Sequence, residues 1–472
     1  MSGETEVMRV THMDYLPALT FVHEACDTRE EVICDSKYVR RKFSVDPTVY
    51  EPEDMYLPIG IQYPRCPLCG RKMKYLLEGD YPIVYIFGRN EKNDRKIVEV
   101  DDVEVAFWIK ESELPVVTDM KAPRRCRIKS ITEEGQGYDI TRENAVKITC
   151  YHPMDVHSFG QTPPSLRDAF GGTSQADVRF EDKAFADLQI KHFIRVPKGK
   201  TRVKSSEIEP VNELPKGISV IPHWLVYDLE TEYRAGIERA KKGEAIIYSA
   251  ACYSSYANSF MVFYHHPTYR EAAETVKERM REKLYGYVYT KYCPKCHTPY
   301  PDGSGGKCHE CNVVLTSLEQ RNPQFSNLLM HAPIYVVPST TETRMLQAFL
   351  GTMKNAKVDI MGGHNSKYFD DEVLSRRVKR LLKRNAPVRM TSKEGIFGVH
   401  PFDFMEAWKY TKRSKSLPTH LDYVGETELG AYKYDYDDNI DYLWKHDIVT
   451  LITYCLIDTA LVVGYNLKYR PT

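Results

Sequence analysis

Three segments in the first third of the chain, PIVYIFGR, VEVAFWI and AVKITCY, carry the β-branched and aromatic residues expected of strands, with acidic or glycine-rich breaks between them. A polar, basic and proline-broken tract, RVPKGKTRVKSSEIEPVNELPKG, follows near 196–222 and predicts a connector. No internal repeat or low-complexity tract offers another boundary. The expected division is a β-rich first domain over 1–217 and a second domain over 218–472.

From Trp224 the pattern changes. WLVYDLE, AIIYSAACY and SFMVFYHH predict three strands, a helix-turn insertion follows, and PIYVV predicts a fourth. Ser339 and Glu342 form a capping box ahead of the amphipathic helix TETRMLQAFLGTM. VDIM then runs into Gly362 and Gly363, and DDEVLSRRVKRLLKR has helical spacing at Phe369, Val373, Leu374, Val378, Leu381 and Leu382. A mixed sheet flanked by helices is the natural architecture, an α/β fold. The last segment, IDYLWKHDIVTLITYCLIDTALVVGY, reads as helix with one nearly apolar face that packs on that sheet, leaving the part around Leu461, Val462 and Val463 for a partner to cover.

Composition narrows the class. Apolar residues at 42% and charged residues at 28% of 472 match a soluble globular protein of two to four domains. No stretch is expected to approach the ~20 apolar residues of a membrane span. The start, MSGETEVMRVTHMDYL, lacks the basic and apolar regions of a secretory signal, so a soluble, intracellular protein with no membrane partner is expected. Lys plus Arg equals Asp plus Glu at 65 each, so any nucleic-acid binding must come from a local groove. The run RRVKRLLKR reads most simply as the exposed face of an amphipathic helix.

The candidate chemistry lies in acids and cysteines. Asp228 and Glu230 are two apart in a strand, hence on one face, where they can share a cation or simply form a turn. Asp370 opens a helix, a position the helix dipole favours in any case. Tyr454 and Asp458 are four apart on the last helix, sharing a face with Leu451 and Leu461, and a carboxylate on an apolar face needs partners that divalent cations would supply. Asp447 reads as solvated.

Of twelve cysteines, Cys293 and Cys296 stand eleven residues before Cys308 and Cys311, with Gly, Pro and Asp between. Two such knuckles can meet in a closed tetrahedral thiolate site, a structural zinc in an insertion over 286–316, with His297 and His309 as spare ligands. Cys66 and Cys69 in CPLCG are a weaker candidate for a second zinc, to be completed by Cys126, Cys150 or His152, or else two ordinary buried thiols. Cys26, Cys34, Cys252 and Cys455 are scattered.

Y-D-L-E-T around Asp228, H-N-S-K-Y-F-D ending at Asp370 and Y-C-L-I-D ending at Asp458 resemble, in order and spacing, the three exonuclease motifs of family B DNA polymerases. The resemblance extends upstream through ITCYHPMDVHSFG and VRFEDKAFADLQIKHFI, and covers VHPFDFMEAWKY and SKSLPTHLDYVGETELGAYK. It implies an RNase H-like mixed-sheet exonuclease domain behind a β-rich N-terminal domain, with the cysteine segment as an inserted zinc ribbon. The implied activity is proofreading-type 3′-to-5′ hydrolysis of DNA by two Mg²⁺ or Mn²⁺ ions. Asp228 would bridge both ions, Glu230 and Asp458 complete the first, Asp370 help anchor the second, and Tyr454 orient the attacking water. Asn365 and Phe369 are the expected contacts to the terminal nucleotide, Phe369 being equally readable as core.

The family's polymerase motifs, an Asp followed by S-L-Y-P, a K-x-x-x-N-S-x-Y-G and a D-T-D, do not occur. The expected partners are therefore DNA 3′ ends, single-stranded or frayed, and a polymerase palm and thumb supplied by a separate subunit or by a missing C-terminal part. The alternative is a non-catalytic DNA-binding and assembly subunit of a split polymerase. The complete set of four carboxylates favours activity.

Overall fold

The computed structural model describes residues 4–34, 40–42, 57–59, 61–120, 127–134, 144–156, 166–171, 173–176, 178–213, 218–269, 271–293, 295–296, 298–300, 306–391, 395–412, 417–435 and 439–469. They form two units, Met1–Ile221 and Pro222–Thr472.

The first unit is built on two long strands. β1 (Thr5–His23) and β3 (Lys74–Asn90) run antiparallel from Met8 opposite Asn90 to Val22 opposite Lys74. β2 (Thr28–Ile33) returns along the far end of β1, and β4 (Arg95–Val100) pairs with β3. Met8, Val84, Ile86 and Val98 from this sheet share a core with Phe107, Ile109, Val146 and Ile148 of a second, four-stranded sheet. The expected connector is part of the larger sheet instead. Its residues contribute to β5 (Phe193–Pro197) and form β6 (Arg202–Val203) and β7 (Glu209–Val211). Its basic residues are spent locally, Arg202 on Glu31 and Glu99 at 3.1 Å each and Lys204 on Asp101 at 2.8 Å. Polarity there reflects edge-strand ion pairing, which sequence composition does not separate from a linker.

The second unit is a six-stranded mixed sheet. Its strands are β8 (Trp224–Thr231), β9 (Ile247–Ser254), β10 (Ser259–His265), β11 (Ile334–Ser339), β12 (Ile360–Gly362) and β13 (His400–Pro401), in the order β11-β10-β9-β8-β12-β13. β8, β9 and β10 are antiparallel neighbours, while β11, β12 and β13 join in parallel. Side chains alternate between two buried faces. Leu225, Tyr227 and Leu229 enter a core with α2 (Glu342–Asn355) and α3 (Asp370–Leu381). Trp224 and Val226 enter the other, with α1 (Ala273–Tyr289), α4 (Phe404–Lys412), α5 (Leu421–Leu429) and α6 (Ile448–Tyr469). Asp228 and Glu230 have the parity of Trp224 and Val226, so their strand directs them toward the face that α6 covers.

Several local expectations change in this frame. Thr341, not Ser339, caps α2, accepting from the Arg344 N–H at 3.3 Å. Glu342 is engaged elsewhere, by a bidentate pair with Arg377 at 2.6 and 2.8 Å and by the Ile247 N–H at 2.9 Å. Arg377 is consequently buried, which removes it from the exposed basic face expected of RRVKRLLKR. The final segment is two helices. Asp447, at φ −143 and ψ 71, ends Ile440–His446 and caps α6 by accepting from the Thr450 N–H at 3.1 Å and hydroxyl at 2.6 Å, so this acid, 38% exposed, is a cap as well as a solvated group.

The membrane-length expectation also fails on length and composition. α6 has 22 residues and a mean hydropathy of 1.8 over its most apolar window, yet 94% of that window is buried inside the protein. A helix apolar on all sides is one packed on all sides. Leu461, Val462 and Val463 are covered by this unit's own core, so no partner is needed there.

One carboxylate ties this helical layer together. Glu428 of α5 is buried and accepts from Lys412 at 2.6 Å, Trp408 Nε1 and Lys468 at 2.9 Å each, and the Tyr469 hydroxyl at 2.5 Å. Burial alone would raise its pKa, but these donors hold it down at about 2. Its folded-state pKa is thus below the unfolded one, so its stabilisation is complete above ~4.3 and is lost as pH falls through the folded value. Glu428→Gln should lower the unfolding free energy by about 3 kcal/mol at pH 7, because two lysines lose their buried counter-charge. In urea titrations across pH, the deficit should shrink between ~4.3 and about 2.

Candidate active site

Three structural elements bring the acids together. Along β8, Asp228 and Glu230 point at α6, where Cys455 approaches Asp228 with Sγ 3.7 Å from Oδ2 and 3.5 Å from the backbone oxygen. Ligand atoms of Asp228, Glu230 and Cys455 lie within 4.8 Å of one another. The chain leaving β12, which pairs with β8 at Val226 opposite Gly362, passes close against the strand. A Cβ at Gly363 would sit 2.4 Å from the Tyr227 carbonyl oxygen, so only glycine permits the approach that leads to Asp370. Asp370 begins α3 and is buried, and its neighbour Asp371 accepts from the Tyr227 hydroxyl at 2.5 Å. Asp458, one helical turn after Tyr454, is buried on α6.

The acids resist ionising together. Burial, then the Asp458 charge, pushes Asp228 up to about 7 against the pull of Lys433. Burial and Asp228 raise Glu230 well above the carboxylate range, and burial with Asp228 and Asp371 does the same to Asp370. Asp458 is raised by burial to about 6, with Lys433 opposing. Cys455, raised by burial and by Asp228, is a thiol that donates to the carboxylate.

Lys433 is the residue the sequence analysis missed. Its Nζ lies 2.5 Å from Asp458 Oδ2 and donates to the Tyr454 hydroxyl at 2.7 Å. Burial would lower its pKa, but Asp458 and Asp228 raise it, so it stays charged. The signal was present: Lys433 closes the segment SKSLPTHLDYVGETELGAYK that lies between the second and third motifs. Its distance in sequence from every acid hid the contact.

The turn before Asp370 holds the other expected residues. Asn365 adopts the left-handed conformation at φ 62, and its carbonyl accepts from the Tyr368 N–H at 3.2 Å. Phe369 packs half-buried against the core on the α2 and α3 side. Asp403 of VHPFDFMEAWKY accepts from the N–H groups of Lys367, Met405 and Glu406, so it braces this turn and caps α4. His364, bonded to Tyr465 and to the Thr419 carbonyl at 3.1 and 2.7 Å, is pushed down to about 4 by burial and stays neutral.

A second cluster lies beyond α1. Cys293, Cys296, Cys308 and Cys311 have all sulfurs within 4.8 Å, beside a three-stranded sheet of Lys291–Tyr292, Pro299–Tyr300 and Thr316–Ser317. The Tyr300 hydroxyl donates to Cys308 Sγ at 3.3 Å and, with the Cys311 N–H, holds that thiol down at about 6. His309 lies tilted against Tyr300, ring centroids 5.8 Å apart, and is not in the group, and His297 lies outside the described residues. In the first unit, Cys66 and Cys69 meet His23 and Cys26, not Cys150 or His152. Cys126 lies outside the described residues. Cys26, read as scattered, thus belongs to a cluster, because a hairpin turn remote in sequence carries it there.

A DNA-directed DNA polymerase of Escherichia phage RB69 is 26% identical over 167 residues, 32% of this chain and 18% of that protein. The family B DNA polymerase from the hyperthermophilic archaeon Pyrobaculum calidifontis has a similar fold, with a TM-score of 0.51 at 15% identity over 82% of this chain and 44% of that one. The chain therefore spans less than half the length of either relative. The family pattern described as DNA polymerase family B, exonuclease domain, matches residues 187–428, from the last strands of the first unit through Asp228, Glu230 and Asp370 to Glu428. With just over half of its residues in that match, the chain belongs to the family B DNA polymerases through their exonuclease domain.

Proposed function

We propose that the second unit is an RNase H-like 3′-to-5′ exonuclease domain that removes nucleotides from DNA ends, with two Mg²⁺ or Mn²⁺ ions held by Asp228, Glu230, Asp370 and Asp458. The observation that carries this reading is the convergence of four carboxylates from β8, α3 and α6, each raised by burial, with Asp228, Glu230 and Asp370 raised further by the charge of another of the four. The donor set fits hard divalent ions, which take carboxylate oxygen. Asp458 Oδ1 is moreover buried with no hydrogen-bond partner among the described residues. When bound, such ions activate water, align the phosphoryl group and stabilise the leaving oxyanion.

The chain's own residues supply the rest. Lys433 fixes the Tyr454 phenol oxygen one turn before Asp458, where it can orient an attacking water. The same ammonium offsets charge on Asp458 and Asp228 and keeps the cluster assembled. Asn365 and Phe369, at the turn entering α3, are the proposed contacts to the terminal nucleotide, Phe369 with the part of its ring that the core on the α2 and α3 side leaves exposed. A duplex end must be unstacked to reach a buried acid cluster, at a cost of a few kcal/mol that is least for a mispaired base. Frayed or mismatched 3′ ends are therefore the proposed substrate, next to a polymerase palm carried on another chain or on further sequence.

The reading also includes a structural zinc on Cys293, Cys296, Cys308 and Cys311. Its support is the four-sulfur geometry and the meagre apolar core around it, which has Cys293, Cys308 and Leu315 as its buried members. So small a core cannot hold a loop-rich element without a staple.

Asp228→Ala should reduce metal-dependent digestion of single-stranded DNA by at least ~10²-fold with an unchanged circular dichroism spectrum. Undiminished digestion would refute the assignment of Asp228, whereas no digestion by the unmutated chain would favour a non-catalytic assembly role. Lys433→Met should lower kcat by roughly 10²-fold through a misplaced Tyr454, with little change in KM. A raised KM with kcat unchanged would show instead that the lysine serves DNA binding. On matched, mismatched and single-stranded 3′ ends the rates should rise in that order, and equal rates on matched and mismatched ends would rule out the proposed substrate. Replacing Cys293 and Cys308 by Ser should remove one zinc equivalent by elemental analysis, an outcome that retention of all zinc contradicts.

A further inference from the structure

We infer that His23, Cys26, Cys66 and Cys69 form a second, structural zinc site in the first unit. It is independent of the exonuclease reading and uses a different ligand set from the four cysteines after α1.

The ligand atoms of these four residues all lie within 4.8 Å of one another. Cys69 Sγ stands 3.7 Å from His23 Nε2 and 3.9 Å from Nδ1. A tetrahedral zinc with bonds of ~2.3 Å to sulfur and ~2.0 Å to nitrogen sets its ligand atoms about 3.5 to 3.8 Å apart, so little rearrangement is needed.

The backbone argues for the site more strongly than proximity does. Around Cys66 the N–H of Cys66 donates to the Arg71 carbonyl at 2.8 Å, the N–H of Gly70 returns to the Cys66 carbonyl at 2.9 Å, and Arg65 bridges Lys72. Around Cys308 the N–H of Cys308 donates to the Val313 carbonyl at 2.8 Å, the N–H of Asn312 returns to Cys308 at 3.0 Å, and Lys307 bridges Val314. The offsets are identical, and in each loop the residue four after the first cysteine is left-handed, Gly70 at φ 72 and Asn312 at φ 54. CPLCG is therefore folded as the same thiolate-presenting knuckle as CHECN.

The other two ligands come from the turn between β1 and β2. His23 ends β1 opposite Thr28, a short helical turn over Glu24–Cys26 carries the third cysteine, and Asp27 at φ 49 closes the turn. Thr28 places its hydroxyl 3.2 Å from Cys66 Sγ, the kind of outer hydrogen bond that orients a metal-bound sulfur. Three sulfurs and one imidazole suit zinc, and a filled tetrahedron leaves no position for substrate. The ion would staple the β1–β2 turn to the knuckle preceding β3, closing the small core of Leu19, Phe21, Met73, Tyr75 and Leu77.

The test uses the full chain purified without chelator. Elemental analysis should find two zinc ions per chain, falling to one in Cys66→Ser/Cys69→Ser and to one in Cys308→Ser/Cys311→Ser. His23→Ala should lose that zinc to a competing chelator faster than the parent, and His23→Cys should restore retention. Should the first double variant fold poorly, the unmutated chain still decides. Cys69 is exposed yet should resist alkylation until a chelator is added. Zinc content unmoved by Cys66→Ser/Cys69→Ser, alkylation of Cys69 at the rate of a free thiol before chelation, or a disulfide among Cys26, Cys66 and Cys69 would each overturn the proposal. Loss of zinc confined to the Cys66 and Cys69 variant would uphold it and overturn the other zinc site instead.

Discussion

The packing of α6 onto one face of the mixed sheet is the contact on which the second unit depends. Apolar burial drives it: nearly every residue from Ile448 to Tyr465 is buried, and apolar surface removed from water stabilises at roughly 25 cal/mol per Å². The same contact forces Asp458 and Cys455 against Asp228 and Glu230, since the strand's period of two leaves those acids no other direction. Hydrophobic energy is thereby used to hold like charges together. Such an arrangement is unfavourable in itself, as the raised Asp228 and Glu230 show, and persists because the helix is too well buried to retreat.

Much of this was legible from the residues. The four main strands, the helix after Asp370 and the shared faces of Asp228 with Glu230 and of Tyr454 with Asp458 follow from periods of two and 3.6, which are local properties. What was illegible is contact between distant segments. Lys433 reaches Asp458 from a loop, Glu342 leaves its expected capping role for Arg377, and the Cys26 turn meets the Cys66 knuckle across two strands. Composition also misled where one pattern has two causes: a basic, proline-broken tract became edge strands, and a helix read as one-sided proved apolar all round.

The two cysteine clusters share a physical setting. Each lies where the apolar core is thin, beside Leu315 in one case and at the end of β1 in the other, and each uses knuckles whose N–H groups point at sulfur. Where a large core exists, as under α6, cysteines such as Cys252 and Cys455 are simply buried thiols raised by desolvation. Thiolate clusters thus occur where burial cannot stabilise the fold unaided.

Charge balance bears on the number of ions the acid site would take. Four ionised carboxylates and the Lys433 ammonium carry three net negative charges in a site poorly screened by water. One divalent ion would leave the cluster negative and repel a phosphodiester. Two would leave it with one net positive charge, which the single negative charge of a phosphodiester neutralises. Lys433 would enter that balance, since two ions and the four acids alone would sum to zero. The lysine therefore belongs to the electrostatic design of the site as much as the four carboxylates do, although no local pattern marks it.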